Sequence, residues 1–99
     1  MDDMNDPLYE KQWHLHGRGQ GLNVIEAWDM GFYGEDVLVS VIDDGIEYTH
    51  ADLDGRYEPR ASYDINDGDY DPSPVHGATF QSSHGTRCAG SIVGNAHNG

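Results

Sequence analysis

The chain has a single cysteine, Cys88, so no disulfide can form within it, and cysteine usage does not address redox compartment. Basic residues are almost as scarce: 5 Lys and Arg stand against 18 Asp and Glu in 99 residues, a formal charge of −13. That balance disfavours a nucleic-acid binder, since phosphate recognition depends on clustered Lys and Arg. Long apolar runs are missing too. The longest, Val37 to Ile42, falls far short of the roughly 20 residues a membrane helix needs, and Met1 to Asp6 has neither the positive nor the apolar region of a secretory signal. Leu, Ile, Val and Phe contribute only 18 residues. At this charge that falls below the share of about 20% with which chains build a core alone. The expectation is a piece of a larger domain.

What is present is organised. Asp6 as cap, Pro7 at the first helical position and Leu8, Gln12 and Leu15 on one face predict a short first helix. Asn23 with Glu26 three residues later forms a capping-box pattern opening a second helix, whose apolar stripe is Val24, Ala27 and Trp28; Gly31 fits its left-handed stop. Val37 to Ile42 is nearly all apolar and β-branched, the pattern of a strand buried on both faces in a parallel sheet. One such strand cannot make a sheet, so its partners are expected outside these residues. Asp52 to Phe80, rich in Asp, Gly, Pro, Ser and Tyr, reads as a long ordered loop. Thr86 to Val93, with small residues beside Ile92 and Val93, reads as a helix pressed closely on a sheet.

The strand ends in Asp43-Asp44-Gly45, which puts a carboxylate where open α/β sheets hold their active sites, although Asp-Gly after a strand is also a hairpin signal. His84-Gly85-Thr86-Arg87-Cys88-Ala89-Gly90 supplies a second group, a histidine at the mouth of a small-residue helix. Taken alone it is as readily a structural histidine; the pair, Asp after a buried strand and His opening a helix, is much rarer. His50, His76 and His84 match no zinc spacing, and no cysteine pair accompanies them. A metal-dependent hydrolase on His50, His84 and Asp43 would have to lose activity on zinc chelation and ignore serine-directed reagents.

Val41-Ile42-Asp43-Asp44-Gly45-Ile46-Glu47, His50-Ala51-Asp52-Leu53 and the His84 to Gly90 block resemble the Asp and His blocks of the kexin-like proprotein convertases of the subtilisin superfamily. The Asp-then-His order is that superfamily's. The second Asp and the Arg-Cys after Thr86 resemble its convertase branch. Asp6-Pro7, Gln12 to Leu15 and Asn23 to Gly31 resemble the start of the same catalytic domain and lean towards its neuroendocrine subgroup. The resemblance implies a three-layer α/β subtilisin-like fold with a mostly parallel sheet, incomplete here, with residues 1–99 as the N-terminal part of a peptidase catalytic domain. It implies a calcium-dependent serine endoprotease that processes precursor proteins after paired basic residues, with an inhibitory propeptide of its own and residence in the secretory pathway.

By the same resemblance, Asp43 orients His84 and His84 takes the proton of a serine nucleophile. Ser82 and Ser83 sit in no nucleophile motif, so these residues alone are expected to be inert. Asp44 binds a basic substrate side chain, while Gln81 stands where some members carry an acid that adds to that selection. Asp64, Asp69 and Asp71 bind one calcium; Asp6, Asp52 and Asn98, with a carbonyl near Asn95, begin another. Ala51 replaces a usual Pro, which loosens that loop. Cys88 is expected to be a small packing residue with a free thiol. The alternative of a different class is a non-catalytic, calcium-binding truncated product.

Overall fold

The structure is a computed structural model that describes residues 4–17, 19–75 and 82–98. By their contacts they divide into two units, Met1–Leu38 with Ala96–Gly99, and Val39–Asn95.

In the first unit a 3₁₀ turn, Tyr9–Lys11, leads into α1, Trp13–His16. The helix expected from Asp6 onward is therefore broken into two short pieces. His16 closes back on the first piece: its Nε2 lies 2.9 Å from the Tyr9 carbonyl, and the two rings are 4.7 Å apart. Helix α2 runs Val24–Asp29 and ends as the sequence predicts, with Gly31 at φ 86° and its amide bonded to the Trp28 carbonyl at 2.8 Å. Its start differs from expectation. Asn23 is itself left-handed, at φ 57°, and makes no side-chain cap. A capping residue needs an extended backbone to aim its side chain at the first-turn amides, so the capping box does not form. Asp6 Oδ2 accepts the His97 amide at 2.9 Å, tying the two ends of this unit together.

The second unit is built on α3, His84–Val93, two residues longer at its start than the sequence pattern suggests. Ala89 and Gly85 are buried, and Leu53, only 2% exposed, packs under the helix from a 3₁₀ turn, Ala51–Leu53. Asn95 locks that turn. Its amide donates to the Asp52 carbonyl (2.8 Å), its Nδ2 to the Asp54 carbonyl (2.9 Å), and its Oδ1 accepts Arg56 Nε at 2.8 Å. The predicted loop from Asp52 is a string of local closures. Pro59–Ala61 forms a 3₁₀ turn held by Glu58, whose carboxylate accepts both the Arg60 amide and the Arg60 guanidinium. These bonds hold the Glu58 carboxyl at about 2. Asp64 and Asp69 then pair across an antiparallel bridge.

Among the described residues there is no strand. Val37 to Ile42, expected to be buried on both faces, has Leu38 at 67% and Ile42 at 92% exposure, and no ladder partner. A run apolar on both faces is covered only when strands flank it and helices lie over it, and these residues supply neither. Leu53, Pro74 and Ala89 are the buried apolar side chains among the described residues. Full burial of a leucine stabilises by about 1.5–3 kcal/mol, no more than the entropy lost in ordering one or two residues. Residues 1–99 on their own are therefore expected to show no cooperative melt by circular dichroism; a sharp, reversible transition would contradict this account of Val37 to Ile42.

Candidate active site

The chain leaves the apolar run at Asp43, and α3 begins at His84; the two side chains meet. His84 Nδ1 lies 2.8 Å from Asp43 Oδ2 and 2.9 Å from Oδ1. The Asp43 side chain is 18% exposed and that of His84 65%, so the carboxylate is sheltered while the imidazole faces outward. The close approach rests on Gly85. A Cβ there would lie 3.0 Å from Asp43 Cβ and 3.1 Å from Asp44 Oδ1, and would collide with the Gly45 carbonyl. Only glycine lets the first turn of α3 sit this near the loop, which is the physical content of the His-Gly-Thr triplet.

The Asp43 carboxyl is held below its ordinary value of 3.8, first by the amide of Asp44, which donates to Oδ1 at 2.8 Å; burial opposes this, and His84 adds a lesser pull in the lowering direction. Asp44, expected to serve substrate, also makes a bond within the chain: its Oδ1 accepts the Gly85 amide at 2.7 Å. Thr86 and Glu47 join the same seam, Thr86 Oγ1 accepting the Glu47 amide at 2.9 Å. These two residues were not singled out from sequence; the signal was that each lies inside a motif block. Cys88 is half-buried rather than a core residue, and its sulfur lies 3.6 Å from His84 Nδ1. Four-residue helical spacing stacks it under the imidazole. Asp43, His84 and Cys88 are the one set of three metal-ligating side chains that converges among the described residues. His50 stands apart from it, its Nδ1 accepting the Asp52 amide at 3.1 Å to cap the Ala51–Leu53 turn.

Residues 34–99 match the Subtilase family, peptidase S8. The chain belongs to the subtilase family. Within it, the relatives place it among the kexin-like proprotein convertases. Furin of Mus musculus is 50% identical over 95 residues, covering 95% of this chain and 12% of furin's length. Proprotein convertase subtilisin/kexin type 4 of Homo sapiens is 46% identical over 95 residues, 95% of this chain and 13% of its own length. Type 6 of Homo sapiens is 44% identical over 100 residues, 95% and 10%. The chain thus spans about an eighth of the length of the curated relatives it matches. The subtilase fold is α/β; the described part of this subtilase shows the helices and turns around Asp43 and His84 and no sheet.

The expected calcium ligands lie as follows. Asp64 Oδ1 accepts the amides of Asn66 and Asp67, Asp69 Oδ1 that of Asp71, and Asp71 Oδ1 the amide and hydroxyl of Ser73. Ser73 holds the Asp71 carboxyl below its ordinary range. All these bonds use Oδ1, and the donor set, hard carboxylate oxygens on one short turn, fits calcium. The three do not converge as tightly as Asp43, His84 and Cys88 do. Asp6 and Asn98 belong to the first unit, and Asp52 to the second. Gln81 and His76 lie outside the described residues.

Two outcomes follow from this geometry. Because the Asp43 carboxyl is lowered on folding, its bonds contribute stability that is present above pH 3.8 and lost as pH falls through the lowered value. A carbon-13 titration of the Asp43 carboxyl in the folded protein is expected to give a midpoint under 3.8, and a midpoint at or above it would mean the bonds are not made. Gly85→Ala gains up to about 1 kcal/mol of helix propensity. Overpacking of this kind costs about 1–3 kcal/mol. In the protein expressed from the longest reading frame containing this segment, the variant is expected to lower the thermal midpoint, and an unchanged or higher one would show that the seam is loose.

Proposed function

We propose that this chain is the part of a serine endoprotease that carries the aspartate and histidine of its catalytic triad, and that the enzyme cleaves precursor proteins after paired basic residues. The observation that carries the reading is the Asp43 carboxylate seated on His84 Nδ1 at 2.8 Å. A carboxylate there keeps the proton on Nδ1 and leaves Nε2 with a lone pair, the tautomer a general base needs to accept a hydroxyl proton. As the imidazolium forms, Asp43 stabilises it without taking the proton. The outward exposure of the His84 side chain leaves Nε2 within reach of a nucleophile.

Asp44 supplies charge beside this pair, and a chain with 18 acids against 5 bases favours the approach of cationic segments. Substrates are therefore precursor proteins with Lys-Arg or Arg-Arg at the cleavage point. Calcium held by Asp64, Asp69 and Asp71 supplies structural charge compensation when bound. The serine-protease reading within the convertase branch extends to an inhibitory propeptide as partner and to work in the secretory pathway. Placement in the neuroendocrine subgroup rests on the Asp6 to Gly31 resemblance alone. No described helix is long and apolar enough to cross a membrane.

The test is to express the longest reading frame containing this segment and assay it on a peptide with a single Lys-Arg pair. Cleavage after the pair is expected, inhibited by serine-directed reagents, lost on calcium chelation and restored by added calcium. His84→Ala is expected to lower kcat by at least about 10³-fold, and Asp43→Asn by about 10⁴-fold. Cleavage that survives His84→Ala sinks the reading. Calcium binding without any cleavage would instead make this a non-catalytic calcium-binding product.

A further inference from the structure

The imidazole contact is not the only tie between the Asp43 loop and α3. The Gly85 amide is one of the first-turn donors that intrahelical bonding leaves without a partner, and Ser83, at the cap position, offers no side-chain cap. Asp44 Oδ1 takes that donor at 2.7 Å from a segment 41 residues away. In the opposite sense, the Glu47 amide donates to Thr86 Oγ1 at 2.9 Å across 39 residues. Asp44 directly follows Asp43 in the chain, and Gly85 and Thr86 directly follow His84. A slide or rotation of α3 that lengthened the His84 to Asp43 contact would have to break one of these two bonds.

We propose that Asp44 and Thr86 are positioning residues, a two-bond clasp that sets the His84 ring on the Asp43 carboxylate. This rests on the endoprotease reading and adds to it a second use for Asp44. Attraction of a cationic substrate needs the charge of Asp44; the clasp needs only an acceptor oxygen. The two uses separate chemically. Asp44→Asn keeps an acceptor and removes the charge, whereas Asp44→Ala removes both. Thr86→Ser keeps the hydroxyl, and Thr86→Val removes it at nearly constant shape.

The experiment measures kcat and KM of the full-length enzyme on two peptides that differ only in the residue preceding the cleaved arginine, lysine in one and leucine in the other. Asp44→Ala and Thr86→Val are expected to lower kcat on both peptides by about 10- to 100-fold, the scale of a misplaced catalytic group. Thr86→Ser and Asp44→Asn recover most of that loss, with Asp44→Asn keeping a raised KM on the lysine peptide alone. Equal kcat for Thr86→Val and Thr86→Ser, or an Asp44→Ala defect confined to the lysine peptide, overturns the clasp. Amide hydrogen exchange at Gly85 and Glu47 reads the same bonds without activity. Exchange is expected to be slow in the parent protein, to quicken at Gly85 in Asp44→Ala and at Glu47 in Thr86→Val, and to stay slow in the conservative pair. Should the parent cleave neither peptide, the protease reading fails by itself, and unchanged exchange in Asp44→Ala and Thr86→Val is then what overturns the clasp.

Discussion

Everything of chemical interest in this chain depends on how near the first turn of α3 can come to the Asp43 loop. Hydrogen bonding falls off steeply beyond about 3.2 Å. The Asp43 to His84 pair therefore exists only because Gly85 carries no side chain and lies against the Gly45 carbonyl and the Asp43 side chain. A helix presenting any other residue at that point would stand off by part of an ångström. The small residues that follow serve the same end on the opposite side, where Ala89 is buried and Leu53 packs beneath the helix.

Around that contact the polar groups are accounted for locally. Asp43 Oδ1 takes its neighbour's amide, Asp44 takes the Gly85 amide, Thr86 takes that of Glu47, and Asn95 gathers the turn at Ala51–Leu53 by donating its Nδ2 to the Ala51 and Asp54 carbonyls. The acidic loop follows the same logic, with Asp64, Asp69 and Asp71 each bonding an amide two residues further on. An aspartate in such a turn does not require a cation for its conformation, which is why carboxylate spacing by itself says little about metal.

Much of this was legible in the residues. Gly31 as a left-handed stop, a helix through Thr86 to Val93 and the pairing of Asp43 with His84 all follow from local rules or from motif blocks that keep their spacing. Other features were not. The Asn23 capping box was plausible from composition and fails because its backbone is left-handed, a dihedral choice that a list of residue types does not contain. Val37 to Ile42 carries the pattern of a covered strand, yet its burial depends on neighbours these residues do not supply. Thr86 and Glu47 were invisible because their bond joins positions 39 apart, and Cys88, expected as a packing residue, is half-buried with its sulfur against His84 one helical turn away.

The amino-acid sequence by itself determined the chemical inventory and the local grammar: an acidic chain, an aspartate after an apolar run, a histidine opening a small-residue helix, and membership of the subtilase family. Those are matters of residue type and short-range spacing, which covalent geometry converts directly into turns and helices. Tertiary structure alone decided which oxygen meets which amide across about forty residues, and that Asp44 bonds the helix as well as offering charge. The reason is physical: each of those contacts depends on a few tenths of an ångström set by the packing of two distant segments, and no property of either segment alone specifies that distance.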